Sequence, residues 1–227
     1  MNRKQKGLPV KRRTFLFGLQ RLLSYFWPAV IERCEQANDL KLVLEYGRLV
    51  VNKGSANYSY GQLQAAFAEF FEQQQLNWDS IDNALILGYG MGSVADLIET
   101  RNAGVRITGV EIEPCLLKWE TAYLKGHSRH LIEEDAARFL DGHSEEYDMI
   151  VVDIFEELDV PDTFRQKAFL TNCMERLSPG GVLVYNFVVD RDEHRAQYAE
   201  LQVQLSDLFK EVRASEHFLV NRIILAQ

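Results

Sequence analysis

Ala84-Leu85-Ile86-Leu87-Gly88-Tyr89-Gly90-Met91-Gly92-Ser93 decides the fold. Four consecutive apolar residues read as a short strand buried on both faces, the pattern of a parallel sheet. Glycines follow at alternate positions, and Ser93 to Thr100 then continues at helical spacing. Glycine at such a strand-to-helix turn lets the backbone reverse tightly and come close to a ligand.

Toward the C-terminus the same alternation repeats. Val105 to Ile112 reads as a strand, and Pro114 to Leu124 as a helix with proline in its first turn. His130-Leu131-Ile132 is a brief strand, Asp135 precedes the short helix Ala136 to Leu140, and Asp148 to Asp153 is a buried strand. Thr163 to Leu177 is expected as one helix stopped by Pro179-Gly180-Gly181, followed by a strand from Val182 to Val189 and a helix from Asp192 to Leu208. Glu211 to Ser215 and Phe218 to Leu225 close the chain as an antiparallel hairpin. Strands alternating with helices imply an α/β domain with a doubly wound, mainly parallel sheet.

Toward the N-terminus, β-rich runs flank Tyr46-Gly47 within Leu40 to Asn52, which predicts a small β-hairpin, with Ala29-Val30-Ile31 as a third strand. Tyr60 to Gln75 is a helix by its spacing. The expected organisation is a basic arm over residues 1–26, a hairpin-and-helix region over 27–80 and the α/β domain over 81–227.

Charge is unevenly spread: residues 1–21 hold seven Lys and Arg and no acid, against 18 basic and 33 acidic residues in the rest. An acidic body argues against nucleic acid, whose phosphates need clustered Lys and Arg, and fits a small-molecule substrate, cationic if charged. Lys11-Arg12-Arg13-Thr14-Phe15-Leu16 resembles a twin-arginine export signal, but Gln20 and Arg21 interrupt the apolar run that such a signal requires. No stretch is long and apolar enough to span a membrane, so the expectations are a cytoplasmic protein and no membrane partner, with a homodimer as the assembly considered. The cysteines form no C-x-x-C pair and the histidines show no H-E-x-x-H spacing, so no metal is expected.

Ligands in doubly wound sheets bind beyond the carboxyl ends of the strands, which singles out Gly88 to Gly92, Glu111, Asp135 and Asp153. Glu111 lies 21 residues after Gly90, at the end of the next strand. A carboxylate is an acceptor-only group with two oxygens, suited to the paired hydroxyls of a ribose. Glycines plus a spaced acid therefore point to a nucleoside-bearing cofactor. An NAD-dependent oxidoreductase is the weaker form of that reading, because Ser93 stands where a dinucleotide fingerprint has its last glycine.

With Glu133-Glu134-Asp135-Ala136 after the third strand, an acid ending the Asp148–Asp153 strand and a closing antiparallel hairpin, residues 84–227 resemble a class I S-adenosylmethionine-dependent methyltransferase (Rossmann-like) domain. Within that superfamily the resemblance is closest to spermidine synthase. It implies a glycine loop, Gly88 through Tyr89, Gly90 and Met91 to Gly92, that cradles the methionine part of the cofactor. It implies Glu111, with Ile112 beside it, at the ribose, and Asp135 with Ala136 at the adenine. It also implies Tyr60 as a residue that closes the substrate site, and Asp153 with Glu156 as the carboxylates that act on the substrate.

The chain departs from that family at two motifs. Where spermidine synthases have G-G-G-D-G-G, Met91 replaces the aspartate that holds the aminopropyl ammonium of decarboxylated S-adenosylmethionine. Where they have D-S-S-D-P, the chain has Asp153-Ile154-Phe155-Glu156-Glu157, which keeps the acid spacing but loses the polar middle. The expectation is a spermidine synthase-like transferase that moves a methyl group to a small molecule. Aminopropyl transfer, with Glu157 or Asp96 standing in for the lost acid, and a non-catalytic adenosyl-binding relative are the alternatives.

Overall fold

A computed structural model describes residues 21–35, 37, 39–53, 56–57, 62–124, 129–156, 158–215 and 220–227. The chain forms two compact units, Met1–Tyr60 and Gly61–Gln227.

The first unit is an antiparallel sheet in the order β1 (Ala29–Arg33), β2 (Leu40–Glu45), β3 (Arg48–Lys53), β4 (Ala56–Asn57). The β2–β3 turn has Tyr46 at φ 47° and Gly47 at φ 74°. Positive φ at both central residues is the turn whose twist matches a two-residue hairpin. Leu42 and Val51 face each other across β2 and β3, and both are fully buried.

The second unit begins with helix α1 (Gln62–Gln73) and continues through β5 (Asn83–Leu87), α2 (Ser93–Arg101), β6 (Arg106–Glu111), α3 (Pro114–Tyr123), β7 (His130–Glu133), α4 (Ala136–Gly142) and β8 (Tyr147–Val152). It ends with α5 (Asp162–Arg165), α6 (Lys167–Glu175), β9 (Leu177–Val188), α7 (Asp192–Leu208), β10 (Val212–Ala214) and β11 (Asn221–Ala226). The sheet order is β10-β11-β9-β8-β5-β6-β7. β7, β6, β5, β8 and β9 run parallel, while β11 and β10 are antiparallel. The chain leaves β5 toward β6 and β7, then returns to β8 on the other side of β5. That reversal places the expected ligand crevice at the ends of β5 and β8.

Period-two alternation divides the core. Leu85, Leu87, Ile150 and Val152 pack on one side with α4, α6 and α7 residues such as Phe139, Leu170 and Leu201. Ala84, Ile86, Met149 and Val151 pack on the other with Phe67, Phe70 and Phe71 of α1 and Val94 and Ile98 of α2. Helix α1, grouped in sequence with the hairpin, thus belongs to the second unit, because three of its phenylalanines cover that sheet.

Two local expectations are corrected. The helix expected from Thr163 to Leu177 breaks at Gln166, whose φ of −73° and ψ of 144° are extended. β9 starts at Leu177 rather than Val182 and carries Pro179 and Gly180 within it. The pairing with β8 shifts register between Tyr147 and Met149, and this irregularity accommodates a proline that cannot donate to the ladder. Among the described residues, no helix is long and apolar enough to cross a membrane.

Candidate functional site

The glycine turn is built by three left-handed residues with different neighbours. Gly88, Gly90 and Gly92 have φ of 81°, 58° and 79°. A Cβ on Gly88 would lie 2.2 Å from the Asp153 carbonyl oxygen, so the turns after β5 and β8 meet backbone to backbone. A Cβ on Gly92 would lie 2.4 Å from the Tyr89 hydroxyl. Around Gly90, no described residue lies within 4 Å of the same position. Gly88 and Gly92 are thus glycines for packing, while Gly90 leaves open space in front of its backbone.

Glu111 ends β6 beside that space. Its Oε2 accepts from Gly90 N at 2.8 Å and its Oε1 from Glu113 N at 3.0 Å. Burial pushes its carboxyl up, against hydrogen bonds from the Glu113, Gly90 and Ile112 backbones that pull it down. A carboxylate has about four acceptor positions, so this one keeps capacity for a hydroxyl donor. Ile112, next in sequence, is 66% exposed, a large apolar side chain left open next to the acid.

Tyr89 and Met91 turn out to be interior residues. The Tyr89 ring covers Gly109, where a Cβ would lie 2.3 Å from it. Its hydroxyl donates to Glu120 Oε1 at 3.1 Å and accepts from Arg129 Nη1 at 2.8 Å, and burial pushes the phenol up. The Arg129 side chain is 1% exposed and also reaches Glu99 at 2.6 Å and Asp96 at 2.5 Å. Asp96, considered in sequence as a stand-in acid, is therefore committed to Arg129. Met91 is buried at 1% exposure. The sequence offered no signal for Arg129, which lies outside the regular elements and meets its acids from two helices.

Asp135 caps α4: its Oδ1 accepts from Arg138 N at 3.0 Å, and Ala136 is buried in the first turn. The resemblance placed both at the adenine; here the Asp135 side chain fixes the start of α4.

Asp153 follows β8, and its N donates to Leu87 O at 2.8 Å, which holds it against the β5 turn. Its Oδ1 accepts from Asn186 Nδ2 at 2.9 Å, and Asn186 Oδ1 accepts from Asn221 Nδ2 at 3.1 Å. Burial pushes the Asp153 carboxyl up to about 7; the Asn186 bond opposes this and the charge of Glu111 adds to it. Asn186 is fully buried in β9, and Asn221 opens the neighbouring strand β11 beside it. Glu156 is exposed on a turn in which its N and O pair with the O and N of Asp159, and it stands apart from the Asp153 network. Tyr60 lies outside the described residues.

The turns after β8 and β9 are also tied to each other. His194 is buried, with Nε2 2.7 Å from Asp159 Oδ1 and Nδ1 2.7 Å from Asp190 Oδ1. Arg191 adds a second bond to Asp159, and these partners hold the Asp159 carboxyl below the usual range.

No family model matches the chain. In sequence it is 31% identical over 109 residues to a probable polyamine aminopropyl transferase of Bifidobacterium longum; the match covers 48% of this chain and 24% of that protein. The chain thus spans about a quarter of that relative's length. In structure it superposes on a probable spermidine synthase from Corynebacterium glutamicum with a TM-score of 0.64 at 18% identity, covering 89% of this chain and 77% of that one. It also superposes on human methyltransferase-like protein 13 in complex with SAH, with a TM-score of 0.63 at 20% identity, covering 74% and 82%. The expected class I fold is borne out by these likenesses and by the strand order. In fold the chain is similar to spermidine synthase and methyltransferase structures, and in sequence it is similar to part of a probable polyamine aminopropyl transferase.

Proposed function

We propose that the chain alkylates an amine with a group taken from an adenosyl sulfonium, and that the group is methyl. The observation that carries the reading is the pairing of two carboxyls at the ends of strands that flank β5, both pushed up by burial. Glu111 is anchored by backbone N–H groups beside Gly90, and Asp153, with a carboxyl near 7, stands on the other side of β5.

The residues suit an adenosyl ligand. Glu111 keeps acceptor capacity for ribose, exposed Ile112 offers an apolar face to a base, and the open side of Gly90 admits a ligand against its backbone. When bound, such a ligand supplies an electrophilic carbon attached to sulfur. The chain's own part is alignment and proton removal. An alkylated amine sheds one proton, and Asp153 Oδ is the acceptor, poised where a base of matched strength works near neutral pH. Asn186 orients Asp153, and Asn221 orients Asn186.

Met91 supports methyl over aminopropyl transfer. A thioether cannot pair with the ammonium of a decarboxylated donor, and no acid lies between Gly88 and Ser93. Asp96 is engaged by Arg129. Aminopropyl transfer is the second reading, favoured by the name of the Bifidobacterium relative. The test is incubation with S-adenosylmethionine or its decarboxylated form and a panel of amines, following the nucleoside product. S-adenosylhomocysteine from the intact donor supports the proposal, methylthioadenosine from the decarboxylated donor supports the second reading, and neither product from any amine contradicts both.

A further inference from the structure

The segment of residues 22–27, just before β1, presents its large apolar side chains outward. Ser24, 2% exposed, is its inner anchor: its Oγ donates to Arg21 O at 2.7 Å and accepts from Gly47 N at 2.9 Å. Arg21 Nε donates to Gly47 O at 2.8 Å, and Tyr46 N donates to Ser24 O at 3.1 Å. These bonds fasten the segment to the β2–β3 turn by its polar groups. Leu22, Leu23, Tyr25, Phe26 and Trp27 are left exposed, Phe26 at 73% and Trp27 at 72%. Tyr46 on the turn is 66% exposed, edge-on to Tyr25 at 6.5 Å, and the Phe26 and Trp27 rings are 6.1 Å apart. Contact with water alone selects the opposite arrangement, and a cluster of large exposed apolar side chains marks a contact surface.

Charge identifies what it contacts. Residues 1–60 carry eleven Lys and Arg against four Asp and Glu, whereas residues 61–227 carry 14 against 29. Seven of the eleven precede Leu22 with no acid among them. We infer that the first unit docks on an anionic lipid bilayer, with Leu22, Leu23, Phe26 and Trp27 entering the headgroup boundary and the basic arm pairing with lipid charge. Aromatic and aliphatic side chains flanked by Lys and Arg are what such a boundary accommodates, and the two attractions add. A polyanion such as RNA would engage the charge and stack on the rings, but would leave Leu22, Leu23 and Val30 without a partner. A second copy would set one strongly basic unit against another. The absence of a spanning segment, which led the sequence to predict no membrane partner, does not bear on docking at the surface.

Flotation of the full chain with vesicles tests this. Binding to phosphatidylcholine containing about one third phosphatidylserine should exceed binding to phosphatidylcholine alone by about 100-fold or more, and should fall as salt rises. Phe26→Ser/Trp27→Ser, at exposed positions and so without effect on folding, should weaken it by about tenfold or more. Arg12→Glu/Arg13→Glu should remove much of the preference for anionic lipid. No preference for anionic vesicles, or variants that bind like the natural chain, would overturn the inference. So would saturable binding of single-stranded RNA, or a concentration-dependent dimer, that Phe26→Ser/Trp27→Ser abolishes in a chain that ignores vesicles. None of these outcomes depends on the transferase reading.

Discussion

Gly90 N donates to Glu111 Oε2 at 2.8 Å, joining the turn after β5 to the end of β6. The bond fixes the acid beside the glycine, so the glycine turn and the acid, the proposed cofactor loop and ribose acceptor, move as one structure. Substitutions at the glycines should separate folding from binding. Gly88→Ala puts a Cβ 2.2 Å from the Asp153 carbonyl oxygen at a φ of +81°, and backbone must shift. It should cost more than about 2 kcal/mol in urea unfolding. Gly90→Ala meets no described residue within 4 Å. It should cost only about 1 kcal/mol for its left-handed backbone, yet weaken adenosyl-ligand binding.

Asp153 should make stability depend on pH in a particular direction. Its folded carboxyl titrates near 7 against an ordinary 3.8, so between those values the folded state holds a proton that the unfolded state has released. The stabilisation is fully present below about pH 4 and is lost as pH rises through 7. Asp153→Asn keeps an oxygen to accept from Asn186 and does not ionise. Its melting temperature should exceed that of the natural chain at pH 8, and the gap should shrink toward pH 5. An equal gap at both pH values would show that Asp153 is ionised throughout.

Removing the Asn186 amide should push the Asp153 carboxyl further up, because that bond favours its charged form. In Asn186→Leu the midpoint of the pH–rate profile should move to higher pH, together with a loss of maximal rate. An unmoved midpoint would separate Asp153 from the rate-controlling base.

Arg129→Met should be among the most destabilising changes in the second unit. It removes a nearly solvent-free cation shared by the half-buried Asp96 and Glu99, the buried Glu120 and the Tyr89 hydroxyl. Breaking such a buried pair costs about 3–5 kcal/mol, whereas Tyr89→Phe should cost about 1 kcal/mol. Equal losses in chemical denaturation would show that the network is not organised around Arg129.

The strands β5, β6 and β8 were legible because each carries an apolar run ended by a glycine or an acid: Leu85 and Ile86 are buried on opposite faces, as an unbroken run requires. Helix α7 lies at Asp192–Leu208 as its spacing predicts. The start of β9 was not legible, because Pro179 and Gly180 ordinarily mark a turn and only the register shift against β8 lets a strand carry them. At the site, Glu111 and Asp153 could be found because acids at strand ends are unusual and well spaced. The inward direction of Tyr89 could not, because it depends on Arg129, Glu120 and the missing side chain of Gly109, which are distant in sequence. Asn221 was hidden for the same reason: its role appears only when β11 lies beside β9.

Isothermal titration of S-adenosylmethionine and its decarboxylated form into the natural chain and Glu111→Ala tests the central claim most directly. The natural chain should bind both, the intact form at least as tightly. Glu111→Ala, still folded by circular dichroism, should lose about tenfold or more in affinity for each, the loss expected when a charge-assisted hydrogen bond of about 1.5–3 kcal/mol disappears. Binding of neither form by the natural chain, or equal affinity in Glu111→Ala, would contradict an adenosyl site built on Gly90 and Glu111.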